Sequence, residues 1–152
     1  MPRRKNWWAT VATLGPVGYF VAPGTLATVI TLPFVYMLNA AQLNYQSYIA
    51  LVFALFIASL LIVKQALVCF DQNEDPSEIV LDEIIGCLLT FWMIPVSTQS
   101  ILVGFLLFRA FDIIKFGWIK RAESLADAWG VIGDDILAGL LANFILRLLY
   151  LT

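Results

Sequence analysis

The 152-residue chain contains no histidine. That excludes imidazole general bases, phosphohistidine intermediates and histidine-ligated zinc. A metal ion held here would be held by oxygen, which suits magnesium, manganese or calcium. Charge is scarce as well. Asp, Glu, Lys and Arg make up 13% of the residues, about half the usual share. The net charge is −2 and the basic residues form no broad patch, so nucleic acid is not an expected partner. Cysteine occurs twice, at Cys69 and Cys87, each in or beside an apolar segment and neither opening a Cys-x5-Arg loop. Both read as small hydrophobes in a reducing compartment. There is no internal repeat and no low-complexity tract.

What is abundant is apolar surface. The hydrophobic fraction is 61%, against roughly 45–50% in soluble chains, and the mean hydropathy is +0.88. A soluble bundle with a greasy core is the alternative, but the apolar runs are too long and uniform for a one-sided face. The expected fold is therefore all-α, a multi-pass membrane bundle of about five apolar helices in a single domain over residues 1–152. Residues 1–14 read as an N-terminal interfacial segment, with Trp7 and Trp8 beside the basic Arg3-Arg4-Lys5. Gly15, Pro16, Gly18, Pro23 and Gly24 break what would be the hydrophobic region of a signal peptide, so the basic cluster reads as a cytoplasmic anchor.

Residues 15–25 are too rich in proline and glycine for regular helix, and Thr25 is placed as an N-cap. Apolar helices are then expected over 26–40, kinked at Pro33, and over 48–70. A third runs from about Glu78, capped by Ser77, to Ile94. A fourth covers 101–116, and a fifth starts at Asp134 and runs to Leu151. Ala50, Ala54 and Ala58 would form a small-residue packing seam. With the N-terminus in the cytoplasm, five alternating helices place nearly all ionisable residues on that face. Arg147 is the main exception.

Four carboxylates, Asp75, Glu78, Asp82 and Glu83, sit where a polar loop runs into the third helix. Such a cluster in a lipid-compatible chain is costly unless it is wet, paired or holding a cation. Glu78 and Asp82 share a helix face at i, i+4, and Asp82 and Glu83 can flank one ion. Asp134 and Asp135 would offset the dipole at a helix start. Arg109, Asp112 and Lys115 form a stripe that reads by itself as an ion-pair ladder at the membrane edge. Taken together, several carboxylates on one face repel unless a cation joins them. Carboxylates beside cations is also the layout of metal-assisted phosphoryl hydrolysis, in which the metal activates water and Arg or Lys holds the remaining charge. Gly24-Thr25 would add backbone N–H donors for an anion.

Four motifs carry a resemblance. They are Gly18-Tyr-Phe-Val-Ala-Pro-Gly-Thr25, Asp75-Pro-Ser-Glu-Ile-Val-Leu-Asp-Glu-Ile-Ile-Gly86, Phe108-Arg-Ala-Phe-Asp-Ile-Ile-Lys115 and Gly130-Val-Ile-Gly-Asp-Asp-Ile-Leu-Ala-Gly139. In this order and spacing, the chain resembles the phosphatidylglycerophosphatase A family of bacterial lipid phosphatases. The resemblance implies removal of the terminal phosphate of phosphatidylglycerophosphate, a phospholipid substrate, Mg2+ as cofactor, and a place in the bacterial inner membrane with the site facing the cytoplasm. It implies catalytic roles for Asp82, Glu83, Asp134 and Asp135, and metal ligation by these four and Asp112. Arg109 and Lys115 would bind phosphate, with Glu78 and Thr25 in supporting positions. Two departures, Phe116-Gly-Trp-Ile119 and Asp127-Ala-Trp-Gly130, bear on substrate range more than on reaction class. The absence of histidine excludes lipid phosphatases of the vanadium-haloperoxidase type, and the absence of Asp-x-Asp excludes the haloacid-dehalogenase type. A cation transporter would need its charges near mid-bilayer, and a non-catalytic membrane bundle would need no acidic site.

Overall fold

A computed structural model describes residues 7–70, 76–115, 117–123, 125 and 127–151. Among them there are seven α-helices and no strand. These are α1 (Trp7–Ala12), α2 (Pro23–Ala40), α3 (Tyr45–Leu67), α4 (Leu81–Thr90), α5 (Thr98–Ile114), α6 (Trp118–Glu123) and α7 (Ala128–Tyr150), with a 3-10 turn at Val17–Tyr19. The all-α expectation holds. By length and composition α2 and α3 are the helices able to cross a membrane. Asp75 and the Arg3-Arg4-Lys5 cluster lie outside the described residues.

Local chemistry explains most boundaries. α2 opens on Pro23, whose missing N–H costs nothing at a first helical position, and it runs through Pro33. Thr25 is thus inside the first turn rather than its cap. Asn44 caps α3 by accepting from the Ser47 N–H at 2.8 Å. Ser97 and Ser100 form a reciprocal capping box at the start of α5, which satisfies two orphan donors. The inward face of α3 carries Tyr48, Val52, Ser59, Val63 and Ala66, so Ala50, Ala54 and Ala58 point outward and form no seam within the chain.

α4 departs most from expectation. It begins at Leu81 rather than near Glu78 and ends at Thr90 rather than Ile94. At ten residues it is about 15 Å long, half of an apolar bilayer core. Its last carbonyls are buried and must find donors. Asn143 Nδ2 donates to Thr90 O at 3.0 Å and to Trp92 O at 2.8 Å, and Tyr48 Oη donates to Leu88 O at 2.8 Å. Arg147 Nε donates to Asn143 Oδ1 at 2.8 Å, and its guanidinium lies 4.9 Å from the Trp92 ring centre. Arg147 therefore closes the buried end of α4.

α4 and α7 run parallel and nearly touch. A Cβ on Gly139 would strike the Gly86 carbonyl, and one on Gly86 would lie 2.7 Å from Asp135 O. The Phe108 ring, fully buried, occupies the remaining space 2.6 Å from that same Gly86 position. Glycine at both positions lets the two backbones meet. The register is regular: Asp82 lies by Asp135, Gly86 by Gly139 and Thr90 by Asn143, each one turn further along both helices.

Candidate metal and phosphate site

The first of these registered layers is acidic. Asp82 and Glu83 occupy the first turn of α4. Asp134 and Asp135 lie in the second turn of α7, because that helix starts at Ala128. The helix-dipole explanation for the Asp134-Asp135 pair therefore falls away, since the dipole acts within the first turn. Asp82, Asp112, Asp134 and Asp135 are all buried, between 2% and 9% exposed.

Carboxylate oxygens of Asp82, Glu83 and Asp135 lie within 4.8 Å of one another. Glu83 Oε2 and Asp135 Oδ1 are buried with no hydrogen-bond partner. Buried carboxylate oxygens left this way are costly. Their like charges also repel one another where little water screens them. A cation removes both penalties, and three converging carboxylates are the donor set of a hard ion. This buried acidic cluster is thus able to bind a metal ion.

The cations flank it. Arg109 pairs with Asp112 one turn along α5, and its Nη1 lies 4.0 Å from Glu83 Oε1. Its buried Nε–H has no acceptor. Lys115 ends α5 in a left-handed conformation, with φ 45° and ψ 48°. That turn brings Nζ within 2.6 Å of Asp134 Oδ2. Asp134 Oδ1 in turn accepts the Asp135 N–H at 3.0 Å. So the expected residues divide. Asp82, Glu83 and Asp135 converge; Asp112 touches both Asp135 and Arg109, and Asp134 pairs with Lys115.

Glu78 lies in the turn before α4 and shares no helix face with Asp82, so the i, i+4 pairing expected from sequence is absent. Its backbone carbonyl packs where a Cβ on Gly18 would stand. Thr25 follows the glycine that matters more. A Cβ on Gly24 would collide with Glu83 Oε1 and lie 3.0 Å from Arg109 Nη1, so the start of α2 closes over the site. Gly24 was legible as an anion donor but not as a contact to Glu83. The repeated four-residue spacing in Asp82-x3-Gly86-x3-Thr90 and Asp135-x3-Gly139-x3-Asn143 was the signal for the α4–α7 register.

Comparison with known proteins agrees with this chemistry. A Bacteroides thetaiotaomicron protein named as a candidate phosphatidylinositol-3-phosphatase is 32% identical over 125 residues, covering 78% of this chain and 77% of its own. The Escherichia coli phosphatidylglycerophosphatase A is 28% identical over 130 residues, 83% of this chain and 73% of its own. The Haemophilus influenzae phosphatidylglycerophosphatase A is 41% identical over 70 residues, 45% of this chain and 43% of its own. No solved structure matches the chain. The family profile described as phosphatidylglycerophosphatase A matches residues 10–150. With two helices able to cross a membrane, this match points to membrane association, and the chain belongs to the phosphatidylglycerophosphatase A family of phosphatases.

Proposed function

We propose that this chain is a Mg2+-dependent phosphatidylglycerophosphatase, hydrolysing the terminal phosphate of phosphatidylglycerophosphate to give phosphatidylglycerol in glycerophospholipid synthesis. The observation that carries the proposal is the buried convergence of Asp82, Glu83 and Asp135, with Glu83 Oε2 and Asp135 Oδ1 unpartnered, set against Arg109 and Lys115. Asp82, Glu83 and Asp135 would hold the ion. When bound, Mg2+ supplies Lewis-acid polarisation of the phosphoryl group and charge neutralisation. Arg109, whose Nε–H lacks an acceptor and whose Nη1 pairs with Asp112, would bind the phosphate, with Asp112 fixing the guanidinium. Lys115 would add a point charge, held by Asp134. Gly24 keeps the start of α2 close enough to exclude bulk water above Glu83, which strengthens each of these interactions.

The whole of residues 1–152 forms one domain in this reading, lodged in the bacterial inner membrane as a multi-pass bundle. The topology has the N-terminus in the cytoplasm and the site on the same face. It is supported by the placement of Gly24, Asp82, Arg109 and Asp134 at one end of the bundle. A cation-transport role is disfavoured because the carboxylates sit in the first and second turns of their helices.

The test is phosphate release from phosphatidylglycerophosphate in detergent. Activity that is lost on EDTA treatment and restored by Mg2+ is expected; activity indifferent to chelation removes the metal. The Bacteroides relative favours a second substrate, since phosphatidylinositol 3-phosphate carries the same chemical feature, a phosphomonoester on an anionic glycerophospholipid. Measuring both substrates side by side decides between them.

A further inference from the structure

Beside the site, α6 and the outer face of α7 enclose an apolar cavity of about 330 Å³ lined by Gly117, Trp118, Ile119, Leu137 and Leu141. That volume is within the roughly 300–1,000 Å³ of small-molecule sites. Its only polar side-chain group is the Trp118 indole N–H. Its position relative to the carboxylates is set by the helices. Gly117 is two residues past Lys115, and Lys115 holds Asp134 at 2.6 Å. Leu137 and Leu141 follow Asp134 at i+3 and i+7, on the same stripe of α7. At about 1.5 Å per residue, the cavity starts about 5 Å beyond Asp134 along α7 and reaches about 10 Å.

The cavity therefore leads away from the phosphate end in the direction that α4 and α7 share, toward Asn143 and Arg147. A bilayer lipid has this same polarity, with its phosphate at the surface and its hydrocarbon below. The mouth is open. Gly117 has φ +61° and nothing within 4 Å of where a Cβ would stand. Trp118, 79% exposed, stands at the rim, where an amphipathic ring suits the interface. Another cavity among the described residues, lined by Val35, Leu38, Tyr48 and Ile94 among others, lies by the far end of α4, away from Arg109 and Lys115.

We propose that the groove between α6 and α7 seats the proximal part of one acyl chain of the substrate, placing its phosphate between Arg109 and Lys115. The proposal rests on the lipid-phosphatase reading. It assigns Leu141, Leu137 and Trp118 a part in selecting for a long-chain lipid over a soluble phosphomonoester.

The experiment compares dioleoyl phosphatidylglycerophosphate with its deacylated, chain-free form as substrates of the full chain in one detergent with Mg2+. Leu141→Trp, which fills the groove, is expected to raise KM for the dioleoyl substrate about tenfold, the loss of a few buried methylenes. Its kcat should hold, and turnover of the deacylated form should stay within about twofold, since it has no chain to bury there. Trp118→Ala, at the exposed rim, is expected to shift the same ratio about threefold by losing part of one aromatic contact. It carries the test alone if Leu141→Trp is not monodisperse. Equal loss on both substrates, or no change on either, overturns the groove. A wild-type chain that releases phosphate from neither substrate overturns the phosphatase reading itself, a result distinct from either of these.

Discussion

The two ends of the α4–α7 pair make opposite use of buried polar groups. At the Thr90–Asn143 end, carbonyls that would be orphaned at a helix terminus receive donors from Asn143, Tyr48 and Arg147. At the Asp82–Asp135 end, carboxylates crowd together, and Glu83 and Asp135 each keep a buried oxygen without a partner. Both ends lie on the same two helices, in the same register, in the same apolar bundle. A satisfied polar cluster in such surroundings is architecture, and an unsatisfied one marks where a ligand completes the structure.

The comparison breaks most sharply at the acidic end. Asp82→Asn and Asp135→Asn should each cut phosphate release by about a hundredfold or more, while the melting temperature in detergent stays level or rises because like charges have been removed. A folding failure instead would make the acids architectural. Gly139→Leu tests the register that joins the two ends. With no room against Gly86, it should abolish activity and lower stability by about 1–3 kcal/mol or more, measured by thermal unfolding.

A smaller effect is expected from Gly24→Ala, whose methyl would displace Glu83. A shift of about 1 Å at a catalytic group can cost about a hundredfold in rate, so a loss approaching that value, with folding intact, is the expected readout. At the opposite end, Asn143→Leu should leave the Thr90 carbonyl without its side-chain donor and the Trp92 carbonyl with Arg147 alone, and cost about 1–3 kcal/mol in stability, with activity per folded molecule nearly unchanged. Finally, Mg2+ should stabilise the wild type by about 2.7 kcal/mol at a hundredfold excess over Kd, read as a higher melting temperature. The same titration should do nothing for Asp82→Asn.

Much of the site was legible in residue types. The acidic pairs, Arg109 and Lys115 stood out because charge is so rare in this chain. The helices were legible from uninterrupted apolar runs, and Pro and Gly located most breaks to within a few residues. The starts of α4 and α7 were misplaced for one reason. Acidic residues near the beginning of an apolar run look like helix-start residues, and in α7 the run had already begun at Ala128, in a stretch whose glycines and tryptophan resembled a loop. Arg147 looked anomalous because its partners, Asn143 and the Trp92 carbonyl, are brought to it by tertiary packing.

Composition and motif alone were enough for an all-helical, lipid-compatible chain whose chemistry must use oxygen ligands and no imidazole. They were also enough for the family, because four motifs kept their order and spacing. The choice of which carboxylates meet, and which hold a cation at the edge, was made by the fold. Periodicity along one helix says which residues share its face, but carries no information about its offset against another helix. Here that offset is set where Gly86 meets Gly139, and by the left-handed turn at Lys115. Those contacts bring Asp82, Glu83 and Asp135 together, with Asp112 between Asp135 and Arg109 and Asp134 against Lys115.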